Sequence, residues 1–173
     1  MTEPNEQRLP AGTPVTGLTG LVEWAIVLMR AIPYWLVAFL GRFSIAAVFW
    51  KSGQTKVENF AIDLFSGTFD IGIPRLSDSA VLLFKEEYKL PLLSPEWGAT
   101  LAALAEHIFP VLLLFGFATR FSALGLLVMT AVIEIFVYPQ AYPTHGTWAA
   151  ILLFLMVYGP GKLSLDHLFF SRK

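Results

Sequence analysis

The chain has 173 residues, 55% of them hydrophobic and 14% charged, with a formal net charge of −1. A soluble domain carries about a quarter charged residues, and a core of this size cannot bury so much apolar surface, so the composition predicts a single polytopic membrane domain. The near-neutral charge excludes a nucleic-acid footprint, and the absence of cysteine excludes disulfides, CxxC redox pairs, iron–sulfur clusters and thiolate zinc sites.

Residues 1–17 are polar and rich in Pro and Gly, with neither the basic start nor the apolar centre of a secretory signal, and predict a disordered tail. Leu18, Leu21, Val22, Ala25, Leu28, Met29 and Ile32 then recur at helical spacing up to Pro33. That stretch is either an amphipathic helix on the membrane surface or a soluble extension of the first span. The first span is predicted over 34–50, with Tyr34 and Trp35 at one end and Phe49 and Trp50 at the other, as interfacial belts require.

Residues 60–95 form an extracytoplasmic segment, turn-rich at first. From Ser79 to Leu93 it is amphipathic, with Lys85, Glu86, Glu87 and Lys89 on the polar face, and predicts a short surface helix ending before Pro91. Further spans are expected over 97–117, 121–138 and 144–161, the last needing tilt or local thinning to reach across. The expected fold is therefore all-α: an integral-membrane four-helix bundle over 18–173 with short surface helices. The third connection, Pro139 to Gly146, lacks Lys and Arg, which places both termini on the cytoplasmic side.

Charges are costly at membrane depth, so the ionisable groups inside these runs are the candidate site. Counting by the helical rise puts Arg42 roughly 15 Å into the first span and Glu106 roughly 13–14 Å into the second from the opposite side. Both then fall near the midplane of a hydrocarbon core about 30 Å thick, and an Arg42–Glu106 ion pair is expected. The pair reads either as a functional centre or as a buried strut. Nearer the outer end, Glu134, Lys51, Gln54, His107 and His145 are expected to form a polar pocket roofed by Tyr138, Tyr142 and Trp148. Glu106, His107 and Glu134 lack HxxH or ExxH spacing, so no metal site is assigned. On the inner side, Gly159, Pro160 and Gly161 break the last span, Ser164 or Asp166 caps a final helix, and Asp166 is expected to meet Arg120.

The run Gly41-Arg42 followed by Phe49-Trp50-Lys51-Ser52-Gly53-Gln54-Thr55-Lys56, then Leu83 to Leu93, Ala105-Glu106 with Pro110, Gly116 to Arg120, and Gly159 to Asp166 together resemble the DoxX family of small four-helix membrane proteins. The likeness covers about residues 35–170. It implies a multi-pass protein of the bacterial inner membrane, related to a subunit of thiosulfate:quinone oxidoreductase and to membrane partners of soluble redox enzymes. A quinone is the cofactor it admits, and a soluble redox enzyme or second membrane subunit the partner. No catalytic residue is carried over, because the family motif does not map onto a defined reaction. Three functions follow: a non-catalytic membrane subunit or anchor of a redox-linked assembly, a small-solute or ion pathway formed by a homo-oligomer, or a purely structural membrane partner.

Overall fold

The computed structural model describes residues 17–63 and 66–170; the predicted tail lies outside them but for Gly17. The described residues divide into two compact units, the first ending at Pro33 and the second beginning at Tyr34. In the first, α1 (Leu18–Arg30) is an amphipathic helix with no buried residue.

The second unit is built on α2 (Tyr34–Gln54), α4 (Pro95–Phe115), α5 (Thr119–Phe136) and α6 (Tyr142–Tyr158). The first three are long and apolar enough to cross a membrane, while α6 has 17 residues. α2 packs on α4 and α6, and α5 on α4 and α6. One core results, from Ile45, Ala46 and Phe49 of α2, Leu113 of α4, Ala123 and Leu126 of α5, and Leu152 and Leu155 of α6.

Local chemistry sets the ends. Ser94 caps α4, its Oγ accepting from the Trp97 amide at 3.4 Å, and Pro95 occupies the first helical position, where a missing N–H costs nothing. α4 closes at Gly116, whose φ of 66° is the left-handed C-cap, with the Phe117 amide donating to Leu112 O at 2.9 Å. A Cβ at Gly116 would lie 2.5 Å from Ser164 Cβ, so only glycine fits both the backbone and the space.

One expectation is corrected. The fold is not all-α, because the chain after α2, including the first part of the 60–95 segment, is an antiparallel hairpin of β1 (Val57–Asp63) and β2 (Thr68–Leu76). Phe60, Ile62, Phe69, Ile71 and Ile73 alternate with other residues at the period of a strand, which the turn-rich composition around Gly67 and Gly72 obscured. The rest of the segment is helical as expected: α3 (Asp78–Leu83) continues as a π-turn over Phe84–Tyr88 and stops at Lys89, in the left-handed conformation. Ala80 and Phe84 pack on Ala99, covering the part of α4 that projects past the end of α2. A short α7 (Leu165–Phe170) ends the described chain.

Candidate functional site

The last turn of α2 lies against the middle of α4. A Cβ added to Gly53 would sit 3.0 Å from Glu106 Cβ, Glu106 O and His107 Cε1, so glycine is what lets the two helices approach. Pro110 has no N–H to offer the Glu106 carbonyl four residues before it, which leaves that oxygen facing Gly53 outside the helical ladder. Gly53→Ala is expected to push α2 off α4 and lower the thermal unfolding midpoint in detergent; an unchanged midpoint would show the approach to be slack.

At that crossing the chain turns back on itself at Thr55 and Lys56, with the Lys56 amide donating to Gly53 O at 2.9 Å. The Lys56 side chain folds over the end of α2 and is 4% exposed, against 2% for Glu106. Its Nζ donates to Glu106 Oε2 at 2.6 Å, to Ser52 Oγ at 3.1 Å and to Ser52 O at 3.3 Å. Ser52 Oγ in turn donates to Glu106 Oε1 at 3.1 Å. The ammonium, hydroxyl and carboxylate thus close a hydrogen-bonded ring in which each charge has its partner, as burial requires.

The next residue on each helix makes a second, neutral contact. The backbone amide of Ile62 donates to Gln54 Oε1 at 2.7 Å, so the Gln54 amide nitrogen faces His107 Nε2 at 2.9 Å as donor. Nε2 therefore accepts, and the imidazole proton sits on Nδ1, 2.7 Å from Ala103 O. One strand amide has fixed the tautomer of a histidine on another element.

Beside the Lys56–Glu106 pair lies a cavity of about 210 Å³ between α4, α5 and the π-turn, with Leu101, Ala105, Val128, Met129 and Tyr88 among its walls. Its walls are apolar apart from Lys56, Glu106 and the Tyr88 phenol. Leu101 and Val128 are about half exposed on the outer faces of their helices, so the cavity opens sideways between α4 and α5. The Tyr88 ring packs on Phe84 and Tyr138 at 4.5 and 5.9 Å. Burial, then the Glu106 and Glu87 carboxylates, raises the Tyr88 phenol above its usual range, so it stays a neutral hydroxyl. The Tyr138 hydroxyl donates to Glu87, which raises that phenol as well.

The expected Arg42–Glu106 pair does not form. Arg42 lies eleven residues before Gly53, roughly 16 Å along α2 from the Glu106 layer. Its guanidinium is 1% exposed and bonds to backbone instead, Nη1 to Leu113 O and Leu114 O at 3.0 Å each and Nη2 to Leu163 O. Equal depth counted from opposite faces assumed flush helices. α4 instead starts eleven residues before Glu106, far beyond the end of α2, and the stagger separates the two charges.

The expected outer pocket also divides. Glu134 pairs with His145 Nδ1 at 2.6 Å, with the His145 ring 4.9 Å from Trp148, while Gln54 and His107 belong to the α2–α4 crossing. Lys51 is exposed and joins neither; Tyr142 is exposed as well. Near the start of α5, Ser164 caps α7 by accepting from the His167 amide at 3.1 Å. Asp166 caps α5, accepting from the Ala118 and Thr119 amides at 2.7 and 2.9 Å, and forms no ion pair with the exposed Arg120 among the described residues. Both of its oxygens are taken by the start of the helix, whose dipole favours a carboxylate there. Arg120 lies against Gly159, where an added Cβ would come within 3.4 Å of Nη2.

Lys56 is the site residue that sequence reasoning missed. It reads as one of several outer lysines past the first span. The signal was Glu106 itself, a carboxylate without a cation among its sequence neighbours, and the small Ser52-Gly53 pair one turn before Lys56.

The model of one known family, DoxX, matches residues 37–139, which take in the α2–α4 crossing, the hairpin and all of α5. An uncharacterized protein of Haemophilus influenzae is 39% identical over 72 residues, 37% of this chain and 48% of that protein. The chain thus spans about half the length of this curated relative. No solved structure matches it.

Proposed function

The chain belongs to the DoxX family, and from that premise we propose that it is a membrane subunit of a redox-linked assembly that holds the head group of a lipid-soluble quinone beside Lys56 and Glu106. The reading places the protein in the bacterial inner membrane, with α2, α4, α5 and a tilted α6 as four spans and both termini cytoplasmic.

The observation that carries it is an apolar cavity, open sideways between two apolar helices, whose polar end is one buried ammonium–carboxylate pair. A quinone has the matching shape: a flat apolar body, a carbonyl oxygen to accept from Lys56, and a tail to trail into lipid. Of the three Lys56 hydrogen bonds, the one to Ser52 O is the longest at 3.3 Å and is the one a ligand carbonyl exchanges at least cost. Glu106 holds the ammonium in place, and the neutral Tyr88 hydroxyl offers a second donor. Quinone reduction consumes two electrons and two protons. The chain has no cysteine to carry electrons, so the reading takes them from a redox-active partner subunit.

Protein purified in mild detergent is expected to carry endogenous quinone, seen as an ultraviolet difference spectrum on borohydride reduction. Lys56→Met is expected to lose it, while Lys51→Met, at an exposed position five residues earlier, retains it. Equal quinone content in the two variants, or none in the wild type, rules the reading out.

A further inference from the structure

A second and larger cavity lies on the His107 side of α4, away from the Lys56 pair. It is a groove of about 500 Å³ under the β-hairpin, walled by Trp50, Phe60 and Pro74 and floored by Leu104, Ile108 and Val111 of α4. Trp50 Nε1 donates to Ile62 O at 2.9 Å, which with the Gln54–Ile62 bond ties the hairpin to the end of α2. Trp50, Phe60 and His107 form a ring cluster with centroids 5.2–6.2 Å apart.

Three features narrow what the groove accepts. Its one polar side chain, His107, has both ring nitrogens engaged, by Ala103 O and Gln54, so a ligand gains no hydrogen bond from it. Its floor is continuous with the outward face of a helix long and apolar enough to cross a membrane, where Leu101, Leu104 and Ile108 are 48%, 52% and 51% exposed. The hairpin above it is amphipathic. Phe60 pairs in register with Ile71, and Ile62 with Phe69, so these four side chains share one face. Ala61, Asp63, Thr68 and Asp70 occupy the other. Phe60 turns that apolar face into the groove, yet Phe69 and Ile71 on it remain 61% and 77% exposed. An apolar strand face prolonging an apolar groove, next to a lipid-facing helix, has one solvent that suits all its parts.

We propose that the groove holds an acyl chain of a bilayer phospholipid and that the hairpin lies across it with its apolar face in the membrane and its polar face in water. The aromatic cluster forms the end wall against which the chain packs, and the hairpin becomes a membrane-inserted arm rather than a loop in solution.

The test uses the full chain in vesicles of phosphatidylcholine brominated midway along the acyl chains, with Trp24, Trp35, Trp97 and Trp148 replaced by Phe. Contact with bromine quenches tryptophan emission. Trp50 is expected to lose most of its emission relative to unbrominated vesicles and to stay out of reach of aqueous iodide. Ala103→Phe, which fills the groove, is expected to restore the emission. Because that change at a buried position can disturb folding, the exposed pair Phe69→Asp with Ile71→Asp serves as a second variant and is expected to reduce the quenching as the arm leaves the membrane. Trp50 quenching that persists in both variants, or ready quenching by iodide in the wild type, overturns the proposal.

Discussion

Glu106→Gln lowers the unfolding free energy of the detergent-solubilised protein by about 3–5 kcal/mol, and Lys56→Met does so by a similar amount, because each strands a buried charge. The pair is 2.6 Å apart with side chains 5% and 3% exposed, so water does not compensate either ion once its partner is gone. Gln keeps the shape of Glu but has one acceptor oxygen where Glu106 uses two, so it still accepts from Lys56 while its amide nitrogen faces Ser52 Oγ, and the charge is gone. The double variant Lys56→Met with Glu106→Gln costs far less than the two singles together, since removing both charges leaves neither ion stranded. The measurement is a double-mutant cycle by denaturant or thermal unfolding. Additive losses would show that Lys56 and Glu106 do not act on each other. Arg42 supplies the control: combined with Glu106→Gln, its removal adds independently, whereas a pairing of those two predicts strong coupling.

Arg42→Met is expected to cost about 2–6 kcal/mol, with the Leu114 and Leu163 carbonyls each losing a donor at about 1–3 kcal/mol. Leu113 O is spared because the Gly116 amide also donates to it at 3.0 Å. Arg42→Lys recovers little of the loss, since one ammonium does not reproduce the flat fork that reaches α4 and the C-terminal segment at once. The positive charge sits at the C-terminal end of α4, where the helix dipole favours it. The consequence is local as well as global. Arg42 helps to hold residues 159–166 against the ends of α2 and α4, together with the Tyr34 hydroxyl on Gly159 O at 2.6 Å and the Asp166 amide on Gly116 O at 2.9 Å. Trypsin is therefore expected to cut at Lys162 faster in Arg42→Met than in wild type, before the helices unfold. Unchanged cleavage together with an unchanged unfolding midpoint would show the guanidinium to be dispensable.

The helices were legible because each is announced by local chemistry. Predicted runs at 34–50, 97–117, 121–138 and 144–161 correspond to Tyr34–Gln54, Pro95–Phe115, Thr119–Phe136 and Tyr142–Tyr158. The hairpin was not, because seven- and nine-residue strands flanked by glycine resemble a loop until their alternation is counted. The site was legible only by half. Glu106, His107 and Gln54 stand out as polar groups in or beside apolar runs, but their partners lie fifty residues or so away and no periodicity reveals them. Lys56, 50 positions from Glu106, looked like solvent-exposed punctuation, and Arg42 was matched to the wrong depth.

What the sequence determined by itself is the set of apolar helices and their ends, since about twenty apolar residues, a capping serine, a proline or a left-handed glycine act within a few positions of where they stand. What the tertiary structure alone decided is which charges meet. That depends on the stagger between α2 and α4, set where Gly53 permits contact with Glu106, and a shift of a few residues along either helix would give every buried charge a different neighbour.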